Sequence, residues 1–300
     1  MNAVTPRWHV LGAGAIGCLF AHALHHGKCE TTLVLRQGSY PQGVAVVVER
    51  DNASSELSIP AITAQDSAHI SHLLVTTKAF DVRSAVAGIA HLLDKDCVVL
   101  LLVNGMGLTE QLRNDWPQLN IYCGTTTEGA YTVSARHIRH AGRGETRVGR
   151  AGDTQPPPWF AHWSQTVERS LWDAQITRAL WSKLAVNCII NPLTALHGCR
   201  NGALAQRADL REQVAALVDE VAAVSRAAGY VDIAQSLDQN VANVIAGTAD
   251  NRSSMLQDIQ LGRPTEIDYI NGYLLQVAAG HGVDAPHNRA LVERIKNRDY

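Results

Sequence analysis

The chain has 300 residues, enough for two domains, and 46% of them are apolar, enough to give each a core. Its formal net charge is −2, from 26 Lys and Arg against 28 Asp and Glu. The basic residues are scattered rather than clustered, which argues against nucleic acid as the main partner. No apolar run reaches the roughly 18 residues that a bilayer-spanning helix needs. The start, MNAVTPRWHV, lacks the charged-then-apolar layout of a secretory signal. The six cysteines (Cys18, Cys29, Cys97, Cys123, Cys188, Cys199) form no CxxC pair. The expectation is a cytoplasmic protein with reduced, mostly buried thiols.

Residues 8–11 form a short apolar run. Gly12-Ala13-Gly14-Ala15-Ile16-Gly17 follows, then a helical pattern through Leu24 to Gly27. GxGxxG is weak by itself, but between a strand and a helix it is a dinucleotide-binding fingerprint. Gly12 permits the tight turn, Gly14 admits a pyrophosphate close to the backbone, and Gly17 lets helix and strand pack. The helix N-terminus offers unbonded N–H groups and a positive dipole end to the phosphates. The next strand, 31–35, ends at Arg36. Chains that bind NAD usually carry Asp or Glu here, roughly 20 residues past the glycines, for the ribose hydroxyl. A guanidinium instead grips a 2′-phosphate with two hydrogen bonds. Arg36 therefore points to NADP(H), against the plainer reading of a surface arginine at a strand end.

Residues 44–49 and 57–62 read as further strands, and 72–76 as a buried strand ending in Thr77-Lys78. A helix over 81–93 precedes the strand 97–103, which ends in Asn104-Gly105-Met106-Gly107. Lys78 and Asn104 thus lie at the carboxyl ends of strands, the edge of an open parallel sheet where ligands bind. Each is also explicable as a solvated strand end or a turn-former. Short strands at 121–123, 130–133, 137–142 and 146–149 are expected to extend the sheet with antiparallel pieces. Three prolines at 156–158 break the chain before a helix over 159–170. The domain boundary is placed near Ala174, giving domains 1–174 and 175–300.

The stretch from Arg178 to Gly202, RALWSKLAVNCIINPLTALHGCRNG, organises the second half. Read as a helix, it sets Lys183, Asn187 and Asn191 four residues apart and so on one stripe. Leu184, Ala185, Val186, Ile189 and Ile190 around them suit a core. The stripe is either a solvated face or the wall of an active site, with Lys183 as proton donor. Helices are expected over 209–228, stopped by Gly229, and over 233–246, 253–260, 266–279 and 288–296, an all-helical domain. Asn251-Arg252-Ser253-Ser254 is a polar helix entry, explicable as an N-cap. Glu266 either complements a helix dipole or faces Lys183. His22 and His26 have i, i+4 spacing but no third ligand, so no metal is expected. No histidine forms a convincing serine triad. Trp181 reads as a packing residue.

Taken in order, GAGAIG, TTKAFDV around Lys78, NGMG at Asn104, WSKLAVNCIINPLTAL from Trp181, RNG at Asn201, NRSSMLQDI at Ser254 and TEIDYINGYL at Glu266 make the chain resemble the ketopantoate reductases (2-dehydropantoate 2-reductases) over nearly its whole length. The resemblance implies an α/β N-terminal Rossmann domain with a mostly parallel sheet, then an all-α C-terminal domain, with the active site between them. It implies NADPH-dependent reduction of 2-dehydropantoate, a branched 2-keto acid, to (R)-pantoate on the route to pantothenate and coenzyme A. By the same resemblance Lys183 is the catalytic lysine and Glu266 its carboxylate partner, which also lies on the cofactor side. Asn104 touches substrate and cofactor, and Ser254 touches substrate. Asn187, Asn191, Asn201 and Asn251 line the pocket, Lys78 lies beside the cofactor, and Arg36 holds the 2′-phosphate. A monomer or homodimer is expected, with no nucleic acid and no membrane. Two alternatives stay open: a reductase of a different 2-keto acid, and an NADP(H)-binding regulator that has lost catalysis.

Overall fold

The computed structural model describes residues 6–297. The chain divides into two compact units. One takes the residues up to Val103 together with Leu108–Ala179, and the other takes Asn104–Gly107 together with the residues from Leu180 on.

The first unit runs β1 (Trp8–Leu11), α1 (Ala15–His26), β2 (Thr31–Val34), β3 (Val44–Arg50), β4 (Ala53–Ile59), β5 (Ala61–Ile62), β6 (Ile70–Val75), α2 (Val82–Ile89), β7 (Leu93–Leu101), α3 (Leu108–Asp115), β8 (Asn120–Thr126), β9 (Gly129–Ser134), β10 (His137–Gly142), β11 (Thr146–Gly149), α4 (Pro158–Thr166) and β12 (Ser170–Trp172). Eight strands form a sheet in the order β12-β11-β8-β7-β6-β1-β2-β5. From β8 to β5 every pairing is parallel. Of the central strands, β1, WHVL, is buried throughout, and β6 and β7 end in the buried apolar runs 73–75 and 99–101, as a parallel sheet covered on both faces requires. Among them, β1 lies between β2 and β6, so the loops leaving these three strands emerge side by side at the carboxyl edge.

The expected antiparallel extension of this sheet is realised by β11, which pairs antiparallel with β8. It is corrected for β9 and β10. These join β3 and β4 in a separate sheet of order β4-β3-β10-β9. The reason is one-sided burial. Val44, Val46 and Val48 on β3 and Ile138 and His140 on β10 are buried, while their neighbours Ala45 and Arg139 are exposed. That single apolar face needs a cover, and it shares a core cluster with Cys18 and Phe20 of α1.

An aromatic cluster ties α4 to the sheet. Trp163 is fully buried. Its ring lies 5.1 Å from that of Trp8 and 5.8 Å from that of Phe20, and its Nε1 donates to Ser170 Oγ at 3.0 Å. The expected helix over 159–170 is corrected: it ends at Thr166, and Ser170, which holds that acceptor, opens β12, a strand of three residues of mixed polarity that carries no periodic signal.

Helix α5 (Ile176–Leu196) opens the second half, followed by α6 (Ala203–Gln206), α7 (Ala208–Ala227), α8 (Val231–Gly247), α9 (Ser254–Gln260), α10 (Asn271–Gly280) and α11 (Pro286–Asn297). Leu210, Leu217, Val218, Val221 and Val224 of α7 join Leu184, Cys188 and Ile189 of α5 in one core. Gly229, at φ +87°, ends the turn after α7. The expected helix from 266 is corrected: 266–270 is turn, and α10 starts at Asn271. All six cysteines are free thiols. Among the described residues, no helix is long and apolar enough to cross a membrane.

Replacing Trp163 with alanine removes both ring contacts and leaves a large cavity. We expect a loss of about 3–5 kcal/mol in unfolding free energy, measured by urea denaturation followed through tryptophan fluorescence.

Candidate active site

The glycine loop is built by exclusion. Gly12 sits at φ +112°, and a Cβ there would fall 2.7 Å from Thr77 N and 2.8 Å from Thr76 C. A Cβ on Gly17 would fall 1.7 Å from Gly12 O and 2.5 Å from Thr76 Oγ1. Neither position admits any other residue. Gly14 differs: it is exposed, and a Cβ on it would meet nothing within 4 Å. The space above Gly14 is therefore open to a ligand, and a side chain there would occupy it.

Gly14 is also the N-cap of α1. The cap receives no side-chain hydrogen bond, and the first turn carries no acidic residue. The first intrahelical bond runs from Cys18 N to Gly14 O at 2.9 Å. The amides of Ala15, Ile16 and Gly17 precede it and have no helical acceptor. Together with Ala13 they offer N–H groups and a positive dipole end without competition, which fits a pyrophosphate. Thr76, which sequence reasoning passed over, clamps the loop from β6. Its Oγ1 donates to Gly12 O at 2.8 Å, and its amide donates to Leu11 O at 2.9 Å.

Arg36 follows β2 and is highly exposed. Its Nη2 donates to Asp81 Oδ2 at 2.8 Å. Asp81 lies three residues beyond Lys78, which is half-buried at the end of β6. The ion pair thus joins the ends of β2 and β6 across the strand that feeds the glycine loop. Asp81 was not singled out from sequence. Its pairing with Arg36 spans 45 positions and leaves no local signal.

The second polar cluster lies in the helical unit. Trp181 anchors the early part of α5: it is buried, its Nε1 donates to Ser225 Oγ at 3.0 Å, and it stacks on Tyr230 with ring centroids 4.7 Å apart. Lys183 and Asn187 follow on one stripe, both half-buried, and Asn191 is buried. Enough protein surrounds Lys183 to lower its pKa from 10.5 to about 8, although part of its side chain stays accessible. Burial is the main cause, and the charge of Glu266 opposes it. Glu266 is itself only 4% exposed. It accepts a hydrogen bond from Asn104 Nδ2 at 3.2 Å. The structure therefore brings Lys183, Glu266 and Asn104 into one cluster.

Asn104 is presented by a docked loop. Met106 N donates to Tyr269 O at 3.1 Å. Gly105, at φ +85°, is pressed so closely on Tyr269 that a Cβ would fall 2.4 Å from its carbonyl oxygen. The NGMG loop thus sits on the turn that carries Glu266.

Asn201 is buried. Its Nδ2 donates to Thr248 Oγ1 at 2.8 Å and its amide to Asn251 O at 3.0 Å, while its Oδ1 is buried without a partner. Asn251 is exposed. The cap of α9 is Ser253, which accepts from Leu256 N at 3.1 Å and lies 2.7 Å from Thr194 Oγ1 of α5. Ser254 stands exposed beside it. Capping thus falls to Ser253, and Ser254 is left open to solvent. His22 and His26 stack with centroids 6.2 Å apart. Among the described residues no group of three or more His, Cys, Asp or Glu could hold a metal ion.

A parallel nucleotide-binding sheet and a helical unit with a desolvated lysine beside a carboxylate define a class, the two-unit oxidoreductases. Comparison with known proteins narrows it. Residues 8–153 match the family described as ketopantoate reductase PanE/ApbA, and residues 175–299 match its C-terminal domain. The chain belongs to this family. It is 40% identical to the 2-dehydropantoate 2-reductase of Escherichia coli O157:H7, covering 97% of this chain and 94% of that protein. It is 35% identical to the enzyme of the same name from Vibrio cholerae serotype O1, covering 96% of each. Among solved structures, a probable 2-dehydropantoate 2-reductase from Bacillus subtilis superposes with a TM-score of 0.79 at 27% identity, covering 97% of this chain and 99% of that one.

The last two glycines of the fingerprint separate folding from binding. Gly17→Ala is expected to destabilise the first unit outright. Gly14→Ala should keep a wild-type melting temperature yet weaken dinucleotide binding at least tenfold. Thermal denaturation and fluorescence titration of the reduced cofactor, run on both variants, check this.

Proposed function

We propose that this chain reduces 2-dehydropantoate to (R)-pantoate with NADPH, and that Lys183 is the general acid. The observation that carries the reading is the coupling of Lys183 to Glu266 in a desolvated cluster that also holds Asn104. The reduced nicotinamide supplies a hydride to the ketone carbon. Negative charge then builds on the ketone oxygen. The Lys183 ammonium stabilises that charge and gives up its proton there. Glu266 keeps the amine charged against the pull of burial, and Asn104 holds the carboxylate in place. Asn104, Asn187, Asn191, Asn251 and Ser254 offer donors and acceptors to the substrate's carboxylate and hydroxyl. The orphaned Oδ1 of Asn201 is an acceptor awaiting a donor, and leaving such a group unmatched costs about 1–3 kcal/mol. On the cofactor side, residues 12–17 take the pyrophosphate, Lys78 lies beside the dinucleotide, and Arg36 takes the 2′-phosphate. The substrate is a small branched 2-keto acid and the setting is the cytoplasm.

The assay is NADPH oxidation followed at its near-ultraviolet band with 2-dehydropantoate as substrate. Tight NADPH binding without substrate-dependent oxidation would overturn the reading in favour of a regulator. Lys183→Ala is expected to lower kcat by about 10²–10⁴-fold with the fold retained. Wild-type turnover in that variant would remove Lys183 from the chemistry.

The pH profile follows from the same group. The acid form is needed, and its share falls as pH rises through about 8. We therefore expect kcat/KM to be flat below that value and to decline above it with a slope of one proton. For the cofactor, Arg36→Ala should weaken NADPH far more than NADH in parallel titrations. Equal losses would remove the 2′-phosphate assignment.

A further inference from the structure

Helix α5 carries a proline in its interior, Pro192. Proline has no amide hydrogen, so the carbonyl four residues earlier, that of Cys188, loses its helical partner. Cys188 is fully buried, and an unmatched backbone acceptor in such a place is costly. The missing donor comes from elsewhere: Asn271 Nδ2 lies 2.8 Å from the Cys188 oxygen.

Asn271 is fully buried and is the first residue of α10. It closes the same turn that holds Glu266. Its Nδ2 also donates to Asn288 Oδ1 at 2.9 Å. Asn288 is oriented in turn by Glu220 of α7. One Glu220 oxygen accepts from His287 N at 2.6 Å, and the other accepts from Asn288 N at 2.9 Å and Asn288 Nδ2 at 2.8 Å. These bonds fix every amide orientation. Asn288 presents its NH₂ to the carboxylate, so its oxygen faces Asn271. Asn271 then faces two acceptors and must meet both with its own NH₂.

We propose that Asn271 is a positioning residue for the Lys183–Glu266 pair. Pro192 opens an acceptor in the helix that carries Lys183, and Asn271 closes it from the segment that carries Glu266. One buried hydrogen bond thereby sets the carboxylate against the helix of the amine. Without the proline, the Cys188 carbonyl would be satisfied inside α5 and would not need the Asn271 amide. The break and the donor are two halves of one device, and Glu220 and Asn288 fix the amide's orientation. The inference rests on the reading of Lys183 as the acid.

The test uses the full-length protein in three forms: Asn271→Ala, Pro192→Ala with Asn271→Ala, and Lys183→Ala. Each is measured for kcat and KM with 2-dehydropantoate, for NADPH affinity, for melting temperature and, where turnover persists, for pH dependence. In Asn271→Ala we expect kcat to fall about 10–100-fold, the scale on which a misplaced catalytic group costs rate, with NADPH affinity unchanged. Because the charge of Glu266 raises the pKa of Lys183, loosening Glu266 moves the alkaline limb to lower pH. In the double variant the new amide hydrogen at position 192 satisfies the Cys188 carbonyl. Its melting temperature should recover in part, the Asn288 bond still being lost, while kcat stays low, because the tether is still absent. A double variant that regains kcat along with stability overturns the proposal and reduces Asn271 to helix repair. Wild-type kcat, or an unmoved alkaline limb, in Asn271→Ala overturns it as well. If Asn271→Ala does not fold, the double variant carries the measurement, since the Cys188 carbonyl is not orphaned in it. Wild-type turnover in Lys183→Ala defeats the acid assignment on its own and takes this proposal with it, whereas a dead Lys183→Ala beside an unaffected Asn271→Ala defeats only the proposal.

Discussion

The helical unit is organised around an amine held between two opposing pulls. Burial favours the neutral form of Lys183, and the nearby negative charge of Glu266 favours the ammonium. On the proposed reading of Lys183 as the acid, the balance near 8 has a chemical meaning. A lysine at its ordinary value would hold its proton too tightly to deliver it near neutrality. One buried without a carboxylate would lose the proton before substrate arrived. General-acid efficiency is greatest when the donor's pKa lies close to the working pH, and on that reading the competition between burial and the charge of Glu266 reaches that range.

Such a balance demands accuracy, because the Coulomb contribution depends on separation while the desolvation penalty does not. A loosely held Glu266 would leave the penalty and weaken the remedy. This accounts for how much of the surrounding structure is spent on one carboxylate. Asn104 Nδ2 donates to it. The loop that presents Asn104 is pinned by Met106 N on Tyr269 O, and only a glycine at 105 allows that approach. The nucleotide loop of the first unit solves the opposite problem. It needs open space rather than a filled one. Gly12 and Gly17 are required because protein atoms crowd them, and Gly14 matters because nothing does.

The parts of this architecture that were legible in sequence are those whose cause is local. A glycine spacing reports backbone angles and Cβ clearances within a few residues, so the fingerprint could be read directly. The stripe of Lys183, Asn187 and Asn191 follows from helical spacing alone. The turn at 266–270 was misread as helix because Glu266, Ile267 and Ile270 mimic an amphipathic first turn, whereas docking of the NGMG loop on Tyr269 favours turn geometry there. The second sheet was illegible for another reason. β3 pairs with β10 across some ninety positions, His137 opposite Val47, and no periodicity distinguishes that partner from the main sheet. Thr76, Asp81 and Asn271 escaped notice because each acts on a group distant in sequence. The proline in α5 was visible from the start, but its consequence was not, since the donor that answers it sits 83 residues from the orphaned carbonyl.

The cofactor side shows the same economy in a weaker form. Arg36 is exposed, and its partner Asp81 is only partly covered. Ion pairs of that kind contribute about 0–1 kcal/mol, so Asp81 orients the guanidinium without trapping it. A 2′-phosphate offers a guanidinium two charge-assisted bonds in the fork geometry it prefers. Exchange of a loosely held carboxylate for such a ligand is favourable, while a ribose hydroxyl offers too little to displace it. On the proposed reading, the cofactor preference of this chain therefore rests on the weakness of the Arg36–Asp81 pair as much as on the presence of the arginine.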